Sequence, residues 1–162
     1  MGPDKPTVQE TSANIDVRAE RLIPVPAEEV AGYAMDWRHD HEWTQGILEA
    51  KLTKTASSGG FDVGAEVTRT AFFLRKRIDY VLRVEAYDPP RRLEMRSVAG
   101  PFPMHIVYEF EARGRDTLAS IHIRGSTAGF YRLAGPLMAR RVRSSIRKDL
   151  QGLEQKLSAP RP

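Results

Sequence analysis

Apolar side chains near the end of the chain recur every three or four residues, the spacing of one face of a helix. Arginine and lysine occupy many of the positions between them, including Arg140, Arg143 and Lys148. The pattern predicts one long amphipathic helix from about Leu133, with Pro136 either kinking it or marking its true start. Its predicted inner face consists of Leu137, Met138, Val142, Ile146, Leu150, Leu153 and Leu157.

Upstream, apolar and polar residues alternate in several segments, which is typical of half-buried strands. Glycine, proline, serine and aspartate residues separate these segments and indicate turns. The predicted strands are 14–23, 47–55, 66–74, 78–87, 92–98, 104–113 and 117–124. Between the first two, residues 26–34 are predicted to form a short helix, and residues 35–43 form either a second short helix or a loop.

The order of the elements is one strand, one or two short helices, six strands and a long helix. Strands and helices that do not alternate indicate the α+β class, and short connections between consecutive strands favour an antiparallel sheet. We therefore expect a single domain over residues 13–158, in which the long helix lies across the sheet. Residues 1–12 are polar and contain prolines, so they are predicted to be a disordered leader, and residues 159–162 a short tail.

Composition removes several classes of function. The chain has 25 basic and 21 acidic side chains and a formal charge of +4, and its aromatic residues do not interleave with the arginines. We therefore expect no nucleic-acid partner and interpret the basic side of the last helix as solvated. No apolar run is long enough to span a membrane, and the first residues do not have the pattern of a secretion signal. The chain contains no cysteine. A cytoplasmic location is expected, and the sequence does not indicate an oligomeric state.

Three stretches of the chain resemble the SRPBCC superfamily, which includes START-related and Bet v 1-like proteins. They are residues 23–30 (IPVPAEEV), the spacing from Asp36 to Trp43, and the end of the last helix at residues 138–141 and 149–154. The last two are similar to the polyketide cyclase/dehydrase-like branch. The resemblance covers residues 14–157. It implies a helix-grip fold, in which a seven-stranded antiparallel sheet wraps around the last helix and encloses an apolar cavity.

Alternation along each strand then selects the side chains that would face this cavity. A hairpin centred on Gly114 would also pair Tyr108 with Ile121. Arg69 is the charged exception on the cavity face, and a buried guanidinium needs a ligand oxygen or an acidic partner. We expect Trp43 near the entrance. The other predicted lining residues are Val67, Arg69, Ala71, Phe73, Leu82, Met95, Tyr108, Phe110, Ile121, Met138 and Val142.

The histidines do not form a metal-binding pattern. His105 and His122 fall on the polar faces of their strands, where we expect them to be solvated. His39 and His41 are two residues apart, and no other segment supplies obvious further ligands, so no metal site is predicted. The sequence also lacks the motifs of nucleotide-binding and serine-nucleophile enzymes, and no cofactor is expected.

Two functions remain open at this point. The first is a protein that binds a small hydrophobic molecule of lipid, polyketide or aromatic type in the cavity. The second is a polyketide aromatase/cyclase or dehydrase, for which Asp36, His41, Arg69 and Tyr108 are the candidate acid/base groups. Stable membrane insertion through the last helix is not expected, because its apolar face should already be buried against the sheet.

Overall fold

A computed structural model describes residues 15–127, 130–131 and 135–159. The predicted leader and most of the predicted tail lie outside these residues. The strands are β1 (Ile15–Ile23), β2 (Ile47–Lys54), β3 (Glu66–Phe73), β4 (Lys76–Asp88), β5 (Arg92–Ala99), β6 (Met104–Arg113) and β7 (Asp116–Gly125). The helices are α1 (Ala27–Ala34), α2 (Asp40–Trp43) and α3 (Gly135–Ser158), and a 3₁₀ turn occupies Trp37–His39.

The seven strands form one antiparallel sheet in the order β1-β7-β6-β5-β4-β3-β2. Strands β2 to β7 follow one another as a meander, and β1 closes the sheet by pairing with β7. The register between β6 and β7 places Tyr108 opposite Ile121, as the position of the hairpin predicted. The α+β helix-grip architecture that the sequence indicated is therefore confirmed.

Alternation along β1 shows why one face of the sheet becomes the core. Ile15, Val17 and Ala19 are buried, whereas the residues between them are exposed. Similar alternation continues across the sheet, so most of the buried side chains of the seven strands face one side. Helix α3 packs across this side and covers it.

Residues 35–43 link the first helix to β2 and contain two short turns of helix rather than a loop. Asp36 caps the 3₁₀ turn by accepting the backbone N–H of Arg38 at 3.0 Å, and its carboxylate also pairs with the Arg38 side chain. Helix α2 follows immediately and buries Asp40 and Trp43. This segment therefore carries a buried carboxylate next to a buried aromatic ring.

Helix α3 begins one residue before Pro136, so this proline marks the first turn of the helix and not a kink. Its buried face contains the predicted stripe from Met138 to Leu153 and also includes Asp149. Leu137, which the spacing placed on the inner face, is 50% exposed. Successive residues of a helix point about 100° apart, and Met138 takes the inward direction at this turn.

Helix α3 approaches the end of α2 closely at Gly152. A Cβ atom at this position would lie 2.9 Å from the carbonyl oxygen of Trp43. The same two parts of the chain are joined by the Asp149 carboxylate, which accepts the backbone N–H of Gln45 at 2.7 Å. Within the described residues, no helix is both long and apolar enough to cross a membrane.

Candidate functional site

An apolar cavity of about 140 Å³ lies between the sheet and α3. Side chains from β1 to β4, β6, β7 and α3 form its walls, and the loop between β5 and β6 borders one end. Its apolar lining includes Ile15, Ile47, Ala71, Phe73, Ile78, Phe102, Met104, Ile106, Ile121, Ile123, Val142 and Ile146. The polar lining includes Arg69, Tyr80, Tyr108, Ser145 and Asp149.

Aromatic rings pack together at one end of the cavity. Phe73 of β3 and Phe102 of the β5–β6 loop both contact Tyr131, with ring centroids 5.7 and 5.9 Å apart. The Tyr131 hydroxyl donates to the carbonyl of Phe73 at 2.9 Å, and Lys76 donates to the carbonyl of Phe130 at 2.7 Å. These contacts hold the β3–β4 hairpin against the segment that leads into α3, so this end of the cavity is lined by aromatic side chains.

A buried ion pair lies at the polar end of the cavity. Arg69 of β3 donates from Nε to Asp40 Oδ2 at 2.9 Å and contacts the same oxygen through Nη2 at 2.8 Å. Nη2 also donates to the Tyr108 hydroxyl at 3.4 Å. Burial acts to lower the pKa of Arg69, but the Asp40 carboxylate, Tyr108 and Tyr80 together raise it well above its ordinary value, so the guanidinium stays charged.

Two buried tyrosines face this ion pair from β4 and β6. Burial raises the pKa of Tyr108 to about 12, although the charge of Arg69 partly opposes the shift. Burial also raises the pKa of Tyr80, again against the effect of Arg69. Both phenols therefore stay protonated at neutral pH and can donate a hydrogen bond.

Asp149 is the ionisable group of α3 at this end of the cavity. It is 5% exposed, and burial raises its pKa to about 7, despite the N–H of Gln45 and the charge of Arg69, which both favour the ionised form. A carboxyl group with this pKa exists in both protonation states near neutral pH. It can therefore accept or donate a proton inside an apolar site.

The acid/base candidates predicted from the sequence occupy different places. Arg69 and Tyr108 line the cavity, and 3.4 Å separates Nη2 of Arg69 from the hydroxyl oxygen of Tyr108. Asp36 lies outside it and borders a separate hollow of about 390 Å³ together with Trp37 and Tyr87. His41 is exposed on the surface of α2. The structure therefore does not bring Asp36 and His41 together with the other two residues, because the turns of residues 35–43 direct them away from the cavity.

The predicted lining residues also divide into two groups. Arg69, Ala71, Phe73, Tyr108, Ile121 and Val142 border the cavity. Val67, Leu82, Met95, Phe110 and Met138 are buried in the surrounding core, where their side chains pack instead of bordering this space. Trp43 is also buried and does not border the cavity; its ring centroid lies 5.6 Å from that of Tyr108, so it packs behind the polar end.

Sequence reasoning missed three residues of the polar end. Asp149 follows Ile146 by three positions and precedes Leu153 by four, so the helical period that identified the stripe places it on the same face. Tyr80 lies two residues from Leu82, so the same alternation that identified Leu82 places Tyr80 on the cavity face of the strand. Asp40 had no comparable signal, because α2 is only one turn long and shows no period.

A group of possible metal ligands lies on the opposite face of the sheet. Atoms of Glu85, Glu94 and His105 are within 4.8 Å of one another. Glu85 already pairs with Arg96 at 3.0 Å, and Glu94 pairs with Arg92 at 2.9 Å. A cation would have to displace both arginines, so this group is better described as part of an ion-pair network across β4, β5 and β6.

The sheet, the long helix and the cavity between them define a helix-grip domain. Residues 14–158 match the family model described as polyketide cyclase/dehydrase and lipid transport. The chain therefore belongs to this family, and the SRPBCC resemblance of the sequence is confirmed. A comparison with curated protein sequences finds no significant match.

Solved structures share this fold at low sequence identity. TTHA0849 from Thermus thermophilus is 20% identical, with a TM-score of 0.72 over 88% of this chain and 96% of that one. A START superfamily protein from Mycobacterium smegmatis is 12% identical, with a TM-score of 0.77 and the same coverage of both chains. The Zhui aromatase/cyclase from Streptomyces sp. R1128 is 14% identical, with a TM-score of 0.70 over 88% of this chain and 92% of that one. These similarities concern the fold.

Proposed function

We propose that this protein binds a small hydrophobic molecule in the cavity between the sheet and α3. The observation that carries the proposal is the composition of the cavity wall, which is largely apolar and has a few polar groups gathered at one end. Such a wall is typical of small-molecule sites, where apolar surface supplies affinity and a few polar groups fix orientation. Membership of a family described by lipid transport and polyketide cyclisation supports the same function.

Titration with a one-ring hydrophobic fluorescent dye, 4-(dimethylamino)benzonitrile, tests this proposal. Val142 borders the cavity, and Val142→Phe adds a ring to this space, so it should weaken dye binding by at least tenfold. Val98→Phe makes the same change at a site that is 42% exposed and outside the cavity, so it should leave dye binding unchanged. Absence of dye binding to the wild-type protein, or equal binding by both variants, would refute a ligand site in this cavity.

A second function, acid/base catalysis on the bound molecule, is supported by Asp149. Its carboxyl group lies in the cavity wall with a pKa of about 7. Loss of water from a β-hydroxy ketone breaks the C–H bond next to the carbonyl and the C–O bond of the hydroxyl group. The first step needs a base and the second an acid, and one carboxyl group can serve both in turn. Tyr80 and Tyr108 would hold the carbonyl oxygen as hydrogen-bond donors.

Dehydration of 4-hydroxy-4-phenylbutan-2-one provides an assay, because its product is a conjugated enone that absorbs in the near ultraviolet. Asp149→Asn keeps an acceptor for the Gln45 N–H but cannot transfer a proton, so the rate should fall by roughly 10²–10⁴. Asp36→Asn, outside the cavity, should keep the wild-type rate. If the wild-type protein does not dehydrate this compound faster than buffer alone, the catalytic proposal is wrong and only the binding function stands.

A further inference from the structure

We infer that the ligand is a neutral molecule with a single ring and a carbonyl-type oxygen, and that this oxygen accepts hydrogen bonds from Tyr80 and Tyr108. The inference rests on the proposed binding function and narrows it to one class of ligand. It excludes long-chain acids and multi-ring compounds as the preferred occupants.

The first argument concerns unused hydrogen-bond donors. The Tyr108 oxygen accepts an N–H from Arg69. Arg69 also faces the Tyr80 phenol, where its charge and N–H groups oppose the rise in the pKa of Tyr80. A guanidinium has donors and no acceptor, so it cannot receive the hydrogen of either hydroxyl group. Within the part of the chain that the structure describes, neither hydroxyl hydrogen has an acceptor in hydrogen-bonding geometry. Both tyrosines border the cavity, so a ligand oxygen there would accept both hydrogens.

The second argument concerns charge. The cations and anions that face the polar end are Arg69, Asp40 and Asp149, together with the two protonated tyrosines. Asp40 holds Arg69 through two contacts of 2.9 and 2.8 Å, so their charges cancel locally. Asp149 adds negative charge as the pH rises through about 7. The site therefore offers hydrogen-bond donors without a net positive charge, which favours a neutral oxygen over a carboxylate.

The third argument concerns size. A cavity of about 140 Å³ is well below the roughly 300–1,000 Å³ of sites for drug-sized molecules. Apolar cavities of about 150 Å³ accommodate a benzene-sized molecule. The walls next to the tyrosines are formed by branched aliphatic side chains, among them Ile78, Ile106 and Ile121. One ring fits this volume, and a second ring or a long chain exceeds it.

A series of ligands tests the three arguments separately. The affinity of each ligand is measured by isothermal titration calorimetry at pH 6 and pH 8. Acetophenone has one ring and a neutral carbonyl, and ethylbenzene has nearly the same shape without the oxygen. Acetophenone should bind more tightly by about threefold to tenfold for each net hydrogen bond that its oxygen accepts, and so by at least about threefold. Benzoate should bind more weakly than acetophenone at both pH values, and more weakly at pH 8 because Asp149 is then ionised. 2-Acetylanthracene and palmitate should bind least.

Two conservative variants test the anchor. Tyr80→Phe and Tyr108→Phe each remove one hydroxyl group and should reduce the preference for acetophenone over ethylbenzene. Among the described residues, Arg69 is the hydrogen-bond partner that either variant loses. Tyr87→Phe makes the same change outside this cavity and should preserve the preference. Chemical unfolding shows whether each variant is folded before its titration.

The outcomes distinguish this inference from the function on which it rests. If neither the fluorescent dye nor any member of the series binds, the binding function itself is wrong. If the dye binds but palmitate or 2-acetylanthracene binds as tightly as acetophenone, the limit on size is overturned and the binding function stands. An equal affinity for acetophenone and ethylbenzene, or tighter binding of benzoate, would overturn the neutral oxygen anchor.

Discussion

Replacing Asp40 with asparagine removes the partner of a buried cation while keeping the size of the side chain. The side chains of Arg69 and Asp40 are 4% and 2% exposed, and one carboxylate oxygen of Asp40 takes both contacts from Arg69. Asparagine can still accept a hydrogen bond but carries no charge. Arg69 would therefore remain buried without compensation for its lost hydration, and the folded state should be strongly destabilised.

The magnitude follows from two independent estimates. Opposite charges about 4 Å apart attract by about 4 kcal/mol at an effective dielectric constant of about 20. Removal of one partner of a buried ion pair costs about 3–5 kcal/mol. Domains have a total free energy of unfolding of about 5–15 kcal/mol, so this loss is a large fraction. With a urea dependence of about 2 kcal/mol per molar, the unfolding midpoint should fall by roughly 1.5–2.5 M.

Urea unfolding followed by far-ultraviolet circular dichroism at pH 7 measures this change. Asp36→Asn is the matched control, because Asp36 pairs with an Arg38 side chain that is 70% exposed, and it should cost less than about 1 kcal/mol. Replacing the buried pair by Asp40→Leu with Arg69→Met should recover most of the stability. Equal midpoints for Asp40→Asn and Asp36→Asn would show that Arg69 does not depend on Asp40.

Three further predictions concern α3, Asp149 and two glycines, and urea unfolding checks each of them. Ile146→Ala should cost roughly 2–5 kcal/mol because it opens a cavity in the core, whereas Arg143→Ala on the exposed face should change stability by less than about 0.5 kcal/mol; equal losses would refute the helical phase. The raised pKa of Asp149, about 7, means that the folded state holds this proton more tightly than the unfolded state, so its contribution is present below about pH 4 and is lost as the pH rises through 7. Asp149→Asn should therefore be more stable than wild type at pH 8.5 and gain much less at pH 5. The gain is at most about 4 kcal/mol, because folding raises the pKa of Asp149 by about three. An equal effect at both pH values would contradict the raised pKa. Gly32→Ala should stabilise α1 by about 0.5–1 kcal/mol, because nothing lies within 4 Å of the new Cβ atom. Gly152→Ala should destabilise, because its Cβ atom would meet a backbone oxygen at 2.9 Å, and a gain there would show that α2 moves aside without cost.

The sequence alone determined the elements and their order. Period-two alternation located β1 within one residue at its first end, and the three-to-four spacing located α3 with its inward side chains. These signals are local, because each element must bury one of its faces. The spacing of apolar residues along that element therefore shows which face is buried. The pairing of Tyr108 with Ile121 also followed locally, from the position of a short turn.

Tertiary structure decided which polar groups meet in the cavity. Arg69 and Asp40 are 29 residues apart, and Asp149 lies 104 residues from Gln45, whose N–H it binds. No periodic pattern connects such positions, since the partners lie on different elements and are brought together only by the packing of α2 and α3 on the sheet. The ionisation of Asp149 was equally hidden, because its pKa depends on burial, which is a property of the folded chain.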